Sequence, residues 1–398
     1  MARSSYFRSA MPCGSEPARG VTEPLRPPPE LPSKQICNWL CPTGRSSPRR
    51  AARFLYSAWM KDQRRKATMS ATKPRVWITV LLSISVLGCA SLSGSRHSLS
   101  GLDARDVRPL FWHIEGHGGA NLYVLGSIHV GPRRGWIYPA SVLEAFQDAQ
   151  ALVVETDPQE VSPDVISQMI QIYGQLPPGT YLRSLLSDHA WDLLMRQLQN
   201  SSLRITTVNR MRPWLLSELL TLEEIRKAGY IAQGGVEASF VAKAGNRSIV
   251  PLESAQLQIV KLANLPFAVQ EMALLDTLEQ ANRHPDYLEQ LVEAWRSGDE
   301  KKLEDLIFET LDKDQTMQPY FEVMLFQRNR AMQAQLEVLL NARQHAGESV
   351  FVSLGVAHLV GVEGICQQLE ENGYNVTRIK GNALPEKKPT EVSLAVHP

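Results

Sequence analysis

Cysteine is scarce and poorly placed for staples. Of the five in this 398-residue chain, Cys13, Cys37 and Cys41 fall in the first 68 residues, Cys89 closes an apolar run, and only Cys366 lies in the body of the sequence. A disulfide framework is excluded, as are the Cys-rich zinc and iron–sulfur sites that need several thiolates at set spacings. The phosphate loop, the Gly-x-Ser-x-Gly elbow and the His-Glu-x-x-His zinc helix are also missing. The apolar run Val76 to Leu87 falls short of the roughly 20 residues a bilayer-spanning helix needs.

A formal charge of +1 conceals two different materials. Residues 1–68 carry 13 Lys/Arg against 4 Asp/Glu, while residues 69–398 carry 29 against 37. The acidic part has no basic patch, so nucleic acid is not expected as its partner. Residues 1–68 are rich in Arg, Ser and Pro and show no amphipathic period. They read either as a disordered basic arm suited to nucleic acid or anionic lipid, or as an extension upstream of the true start.

The adjoining segment favours the second. From Met69 the chain has a short basic stretch (Lys73, Arg75), then the apolar run, then Val86-Leu87-Gly88-Cys89. The order matches a secretory signal, and its end resembles the bacterial lipobox, in which the Cys is acylated. Residues 69–89 are therefore expected to be a lipoprotein signal peptide. Cys89 would be its lipidation site and would tether the protein to a membrane without a spanning helix. Ala90 comes after it, not Asp, which favours the outer membrane facing the periplasm if the source is Gram-negative. Residues 90–106 read as a flexible Ser/Gly tether, 107–383 as the folded domain and 384–398 as a disordered tail.

Inside the domain, LFWHIEGHGGANLYVLGSIHV (110–130) reads as two strands about a turn at 117–121. Further strands are expected at 151–155, 248–253, 349–355 and 375–379. Helices are expected at 140–149, 163–174, 187–199, 214–228, 236–245, 254–263, 266–281, 286–297, 299–311, 318–343 and 361–372. The sum is an α/β fold. A central mixed sheet is built from both ends of the domain, and a large helical insertion covers its edge.

Four apolar strands end on a titratable side chain: LYVLGSIH on His129, ALVVE on Glu155, SIVPLE on Glu253 and VFVSLGVAH on His358. Strand ends in open sheets are where ligands bind. Two imidazoles and two carboxylates there would suit a divalent metal, with carboxylates holding geometry or taking a proton. Gly126 and Gly355 stand three residues before the two histidines, where a missing β-carbon permits a sharp turn or close approach. The bland alternatives are structural histidines, and glutamates placed favourably at the starts of helices. His97 shares the Gly-x-x-His spacing but follows no strand. His113, His189, His284 and His345 read as structural or surface residues, Met317, Phe321, Met324 and Phe326 as core, and Cys366 as a buried thiol.

The stretch LYVLGSIHVG to ALVVETD resembles the opening of the TraB/GumN family. MRPW (211–214), GGVEASFVAKAGNRSIVPLESAQLQ (234–258), QRNRAM (327–332) and VSLGVAHLVGVEGICQQLEENGYNVTRI (352–379) resemble its later blocks, in the same order. The family is grouped with the Tiki proteins, regarded as metal-dependent peptidases, and more distantly with erythromycin-esterase-like and haem-binding ChaN-like proteins. The resemblance implies His129 and His358 as ligands of Mn, Co or Zn. It implies Glu155 and Glu253 as ligand and general base in unassigned order. Arg328 would stabilise an oxyanion or bind a substrate carboxylate. Where relatives often carry Gly-x-Asp, this chain has Gly235-Val236-Glu237. The expected activity is hydrolysis of a peptide or small molecule. The alternatives are a non-catalytic periplasmic lipoprotein binding a small ligand or haem in the same cleft, and a structural lipoprotein with these side chains dispersed.

Overall fold

The computed structural model describes residues 107–384 apart from 158–159, 284–285 and 314. The expected N-terminal extension, the signal peptide with Cys89, the tether with His97, the tail from 385 and His284 lie outside the described residues.

Six strands form one mixed sheet: β1 (Phe111–Glu115), β2 (Asn121–Ser127), β3 (Ala151–Val154), β4 (Ser248–Pro251), β5 (Ser349–Gly355) and β6 (Asn375–Arg378), in the order β4-β3-β5-β2-β1-β6. β5 is buried along its whole length, as a central strand covered on both faces should be. It pairs in parallel with β2 on one side and β3 on the other, and β4 continues the parallel set. β1 folds back antiparallel on β2, with Gly118 at φ +95° in the turn, and β6 pairs antiparallel with β1. First and last strands therefore share one side of the sheet, as expected.

Parallel neighbours need long crossovers, and these carry the helices: α1 (Ala140–Asp148), α2 (Pro163–Gly174), α3 (Asp188–Leu198), α4 (Pro213–Lys227), α5 (Val236–Lys243), α6 (Ala255–Asn264), α7 (Phe267–Arg283), α8 (Tyr287–Ser297), α9 (Glu300–Lys313), α10 (Gln327–Asn341) and α11 (Ile365–Glu371). Local signals start several of them. Ser162, Ser187 and Ser254 accept the N–H groups of Val165, Ala190 and Leu257 at the starts of α2, α3 and α6. Pro213 takes the first turn of α4. A leucine-rich cluster that includes Leu186, Leu194, Leu216, Leu220, Leu274 and Leu278 forms a second core within the insertion.

Two expected helices differ. The span 318–343 is broken: a short helix Gln318–Phe321 leads into a π-turn, Glu322–Phe326, before α10. Met324, Leu325 and Phe326 of this turn are all buried. The last helix begins at Ile365, not 361, because Gly361 sits at φ +79° against the Phe308 ring. Trp295 of α8 is fully buried and its indole N–H donates to the carbonyl of Gly126 at 2.8 Å. Burying an indole removes on the order of 200 Å² from water, an upper bound of about 5 kcal/mol at ~25 cal/mol/Å², so α8 is firmly fastened to the end of β2. Among the described residues no helix is long and apolar enough to cross a membrane.

Candidate functional site

Because β2, β3, β4 and β5 are parallel, their carboxyl ends share one edge, and each delivers one expected residue there. His129 lies two residues beyond β2, Glu155 directly after β3 and Glu253 two beyond β4. His358 ends the single 3-10 turn Val356–His358 that follows β5. The set is gathered, not dispersed.

Glu155 is the hub and is completely buried. One oxygen, Oε1, accepts from the Arg328 guanidinium and from Gln258 Nε2 at 3.0 Å. The other, Oε2, lies 3.5 Å from His358 Nε2 and 3.8 Å from His129 Nε2. The Glu155 Oε2 to His358 Nε2 contact is long for a hydrogen bond, and no other group bonds either atom. The far nitrogen of His358, Nδ1, sits 2.5 Å from Asn329 Oδ1, and Asn329 Nδ2 donates to the Glu363 carbonyl at 2.6 Å. His129 Nδ1 lies 3.8 Å from Glu237 Oε2, while Glu237 Oε1 accepts the backbone N–H of Glu155 at 3.0 Å.

The two motif glycines do different things, and neither makes a left-handed turn. A β-carbon on Gly355 would stand 3.1 Å from Glu155 Oε2 and 3.2 Å from His129 Nε2, so its absence leaves space against both. A β-carbon on Gly126 would meet Val356 and Leu110 on the opposite face of the sheet. There the glycine serves packing.

Arg328 and Glu253 form an ion-pair network behind Glu155. Arg328 is 1% exposed, and its guanidinium is engaged three ways: by Glu155, by Glu253 Oε2 at 2.7 Å and by the Met324 carbonyl at 2.8 Å. It orders the two carboxylates. Glu253 accepts from Arg328 and Gln258 at one oxygen and from Lys261 at the other. Both oxygens of Glu253 are thus engaged by cationic or amide donors. Arg330, on the same helix, is half exposed and paired with Glu322 and Glu363 at the surface.

The ordered blocks, the strand ends and the paired Gly-x-x-His turns have counterparts among known proteins. The sequence profile of the TraB/PrgY/gumN family matches residues 110–378, most of the chain. The chain belongs to the TraB/PrgY/gumN family. Among its relatives is the uncharacterized protein YbaP of Escherichia coli (strain K12), 24% identical over 255 residues, which are 63% of this chain and 89% of YbaP. An uncharacterized protein of Treponema pallidum (strain Nichols) is 27% identical over 237 residues, 57% of this chain and 69% of that protein. No solved structure matches.

Within this TraB/PrgY/gumN fold the electrostatics divide the carboxyls. Burial pushes Glu155 up, but the Arg328 charge beside it leads the groups that more than offset this and hold it well below the usual range. Burial and then the Glu155 charge push Glu237 well above it, so Glu237 keeps its proton. Burial and the Arg328 charge outweigh Glu155 at His358 and keep its imidazole neutral. Glu237 opens α5 with Gly235, not Glu237, at the N-cap position, and no side chain caps this helix. Glu237 thus lies beside Glu155 and His129 and not at a helix cap.

Two imidazoles and a carboxylate are the donor types a divalent ion takes. Tetrahedral ligands about 2.1 Å from an ion stand about 3.4 Å from one another, close to the 3.5 Å edge and shorter than the 3.8 Å edge found here. Among the described residues no group of three or more His, Cys, Asp or Glu side chains already has the geometry of a metal site. The donors and the space beside Gly355 fit an ion; the spacing asks for a small contraction at His129.

Proposed function

We propose that this protein is a divalent-metal-dependent hydrolase in which His129, His358 and Glu155 hold the ion. One observation carries the reading. Glu155 Oε2 and His358 Nε2 face each other 3.5 Å apart in a wholly buried site, a separation long for a hydrogen bond. Buried polar atoms that are poorly satisfied are costly; a cation between these two would satisfy both. A divalent ion of the Mn, Co or Zn type would supply Lewis-acid polarisation of a carbonyl and a more acidic water. The remaining chemistry belongs to the chain. Glu237, 3.8 Å from His129 and pushed well above the usual carboxylate range by burial and the Glu155 charge, is the carboxyl suited to general acid–base work. Arg328, Gln258 and Lys261 immobilise Glu155 and Glu253, so the edge is rigid before substrate arrives. A peptide substrate rests on the likeness to the Tiki proteins.

The Met69–Cys89 segment supports a lipid-anchored protein, outer-membrane and periplasmic in a Gram-negative cell, with the membrane as its partner through Cys89. A second reading, a non-catalytic lipoprotein binding a small ligand or haem, is favoured by how deeply the donors are buried: Glu155 and His358 are wholly covered and the His129 side chain is 6% exposed. Turnover separates the two. The hydrolase reading expects chelator-sensitive cleavage of a peptide library by wild type and none by His358→Ala. Chelator-insensitive or absent cleavage, with a ligand still retained, would leave the binding reading.

A further inference from the structure

We propose that Asn329 is a positioning residue that locks His358 in its Nδ1–H tautomer and so turns the Nε2 lone pair toward Glu155. The consequence for a metal rests on the hydrolase reading; the tautomer itself does not.

The far end of the relay fixes every hydrogen in it. The Glu363 carbonyl can only accept, and it lies 2.6 Å from Asn329 Nδ2. That contact sets the amide, since the flipped form would press two oxygens together. Asn329 Oδ1 must then be the atom 2.5 Å from His358 Nδ1. An amide oxygen only accepts, so Nδ1 carries the hydrogen. A neutral imidazole has one N–H, which leaves Nε2 bare. His358 is wholly buried and Asn329 1% exposed, so water does not compete for either contact. Without Asn329, Nε2–H could donate to Glu155 Oε2 and close the gap between the two acceptors. The relay therefore prevents an internal hydrogen bond that would occlude the site.

Placement by the fold is economical. Asn329 follows Arg328 directly, and both enter α10 just after the π-turn Glu322–Phe326. Adjacent helical residues point about 100° apart. One helix start thus sends Arg328 to the carboxylates and Asn329 to the imidazole.

The test uses the full chain, metal-free and labelled with ¹⁵N-histidine, in wild type, Asn329→Asp and Asn329→Leu. Long-range ¹H–¹⁵N correlation reads the protonated nitrogen, with His358 assigned by loss of its signals in His358→Gln. Wild type and Asn329→Asp, which keeps an acceptor, should show Nδ1–H; Asn329→Leu should shift to Nε2–H. Zn²⁺ competition against a chelator should then show Asn329→Leu weaker by roughly 10–100-fold, the usual cost of losing such a support, and Asn329→Asp substantially closer to wild type. A wild-type His358 protonated at Nε2 overturns the proposal, and this holds even if Asn329→Leu fails to fold. So does a folded Asn329→Leu protein that keeps Nδ1–H. If wild type shows Nδ1–H but binds no Zn²⁺, the hydrolase reading fails while the tautomer assignment stands.

Discussion

Placing a methyl group on Gly355 should damage metal binding more than it damages the fold. The β-carbon would stand 3.1 Å from Glu155 Oε2, 3.2 Å from His129 Nε2 and 3.4 Å from His358 Cδ2. Ordinary carbon contacts lie at about 3.5–4.0 Å, so the neighbours must retreat by a few tenths of an ångström. Glu155 cannot retreat freely, since Arg328 and Gln258 hold its other oxygen. Overpacking of this kind costs about 1–3 kcal/mol, or about 2–4 °C of melting temperature per kcal/mol in a large domain. The same methyl occupies space beside two of the proposed ligands, so Zn²⁺ affinity should fall by on the order of tenfold or more, comparable to losing a supporting contact. Gly126→Ala is the control. Its β-carbon meets Val356 at 3.2 Å and Leu110 at 3.3 Å, so it predicts a similar loss of stability. That carbon lies on the other face of the sheet, because successive strand residues alternate, and Zn²⁺ affinity should hold. Thermal unfolding and chelator competition on both variants decide the matter. Equal Zn²⁺ affinities in the two would refute the reasoning.

The same contacts carry other expected outcomes. Arg328→Met leaves Glu155 and Glu253 without their shared cation and should cost about 3–5 kcal/mol in urea unfolding; a loss below about 1 kcal/mol would show that the pairings carry little. Glu237→Gln should keep the metal and lower peptide turnover about 10²-fold or more, and unchanged turnover would remove Glu237 from the acid–base role. Cys366 is 6% exposed and burial pushes its thiol well above the usual range. With the other four cysteines replaced by serine, it should ignore an aromatic disulfide reagent in the native protein and react at once in urea; rapid native labelling of that variant would contradict its placement.

The strand ends were legible because two signals coincide in them. An apolar run bounded by polar residues marks a buried strand, and a His or Glu at its close marks the edge where loops meet. Four such runs led to His129, Glu155, Glu253 and His358, and the parallel pairing of β2, β5, β3 and β4 brought all four together. Their division of labour was not legible. Glu155 and Glu253 end similar strands and share Arg328 and Gln258, yet one turns its second oxygen to the imidazoles and the other to Lys261. That difference comes from helices α6 and α10, far along the chain. Gln258 and Asn329 are ordinary polar residues in helical sequence, where burial is decided by distant contacts and leaves no local mark. Arg328 was found by resemblance and assigned to substrate, because an arginine's partners cannot be read from spacing. The π-turn had one local signal, the consecutive apolar residues 323–326. Glu237 stood out only as a departure from relatives, and its contact with the Glu155 backbone explains why the position matters.

The most direct test of the central claim is a cobalt(II) titration of the purified, metal-free protein, monitored by visible absorption. The proposed site predicts saturation at one equivalent, with the bands of an ion held by nitrogen and oxygen donors, and loss of that binding in a folded His358→Ala variant. No binding by wild type, or undiminished one-equivalent binding by His358→Ala, would contradict it.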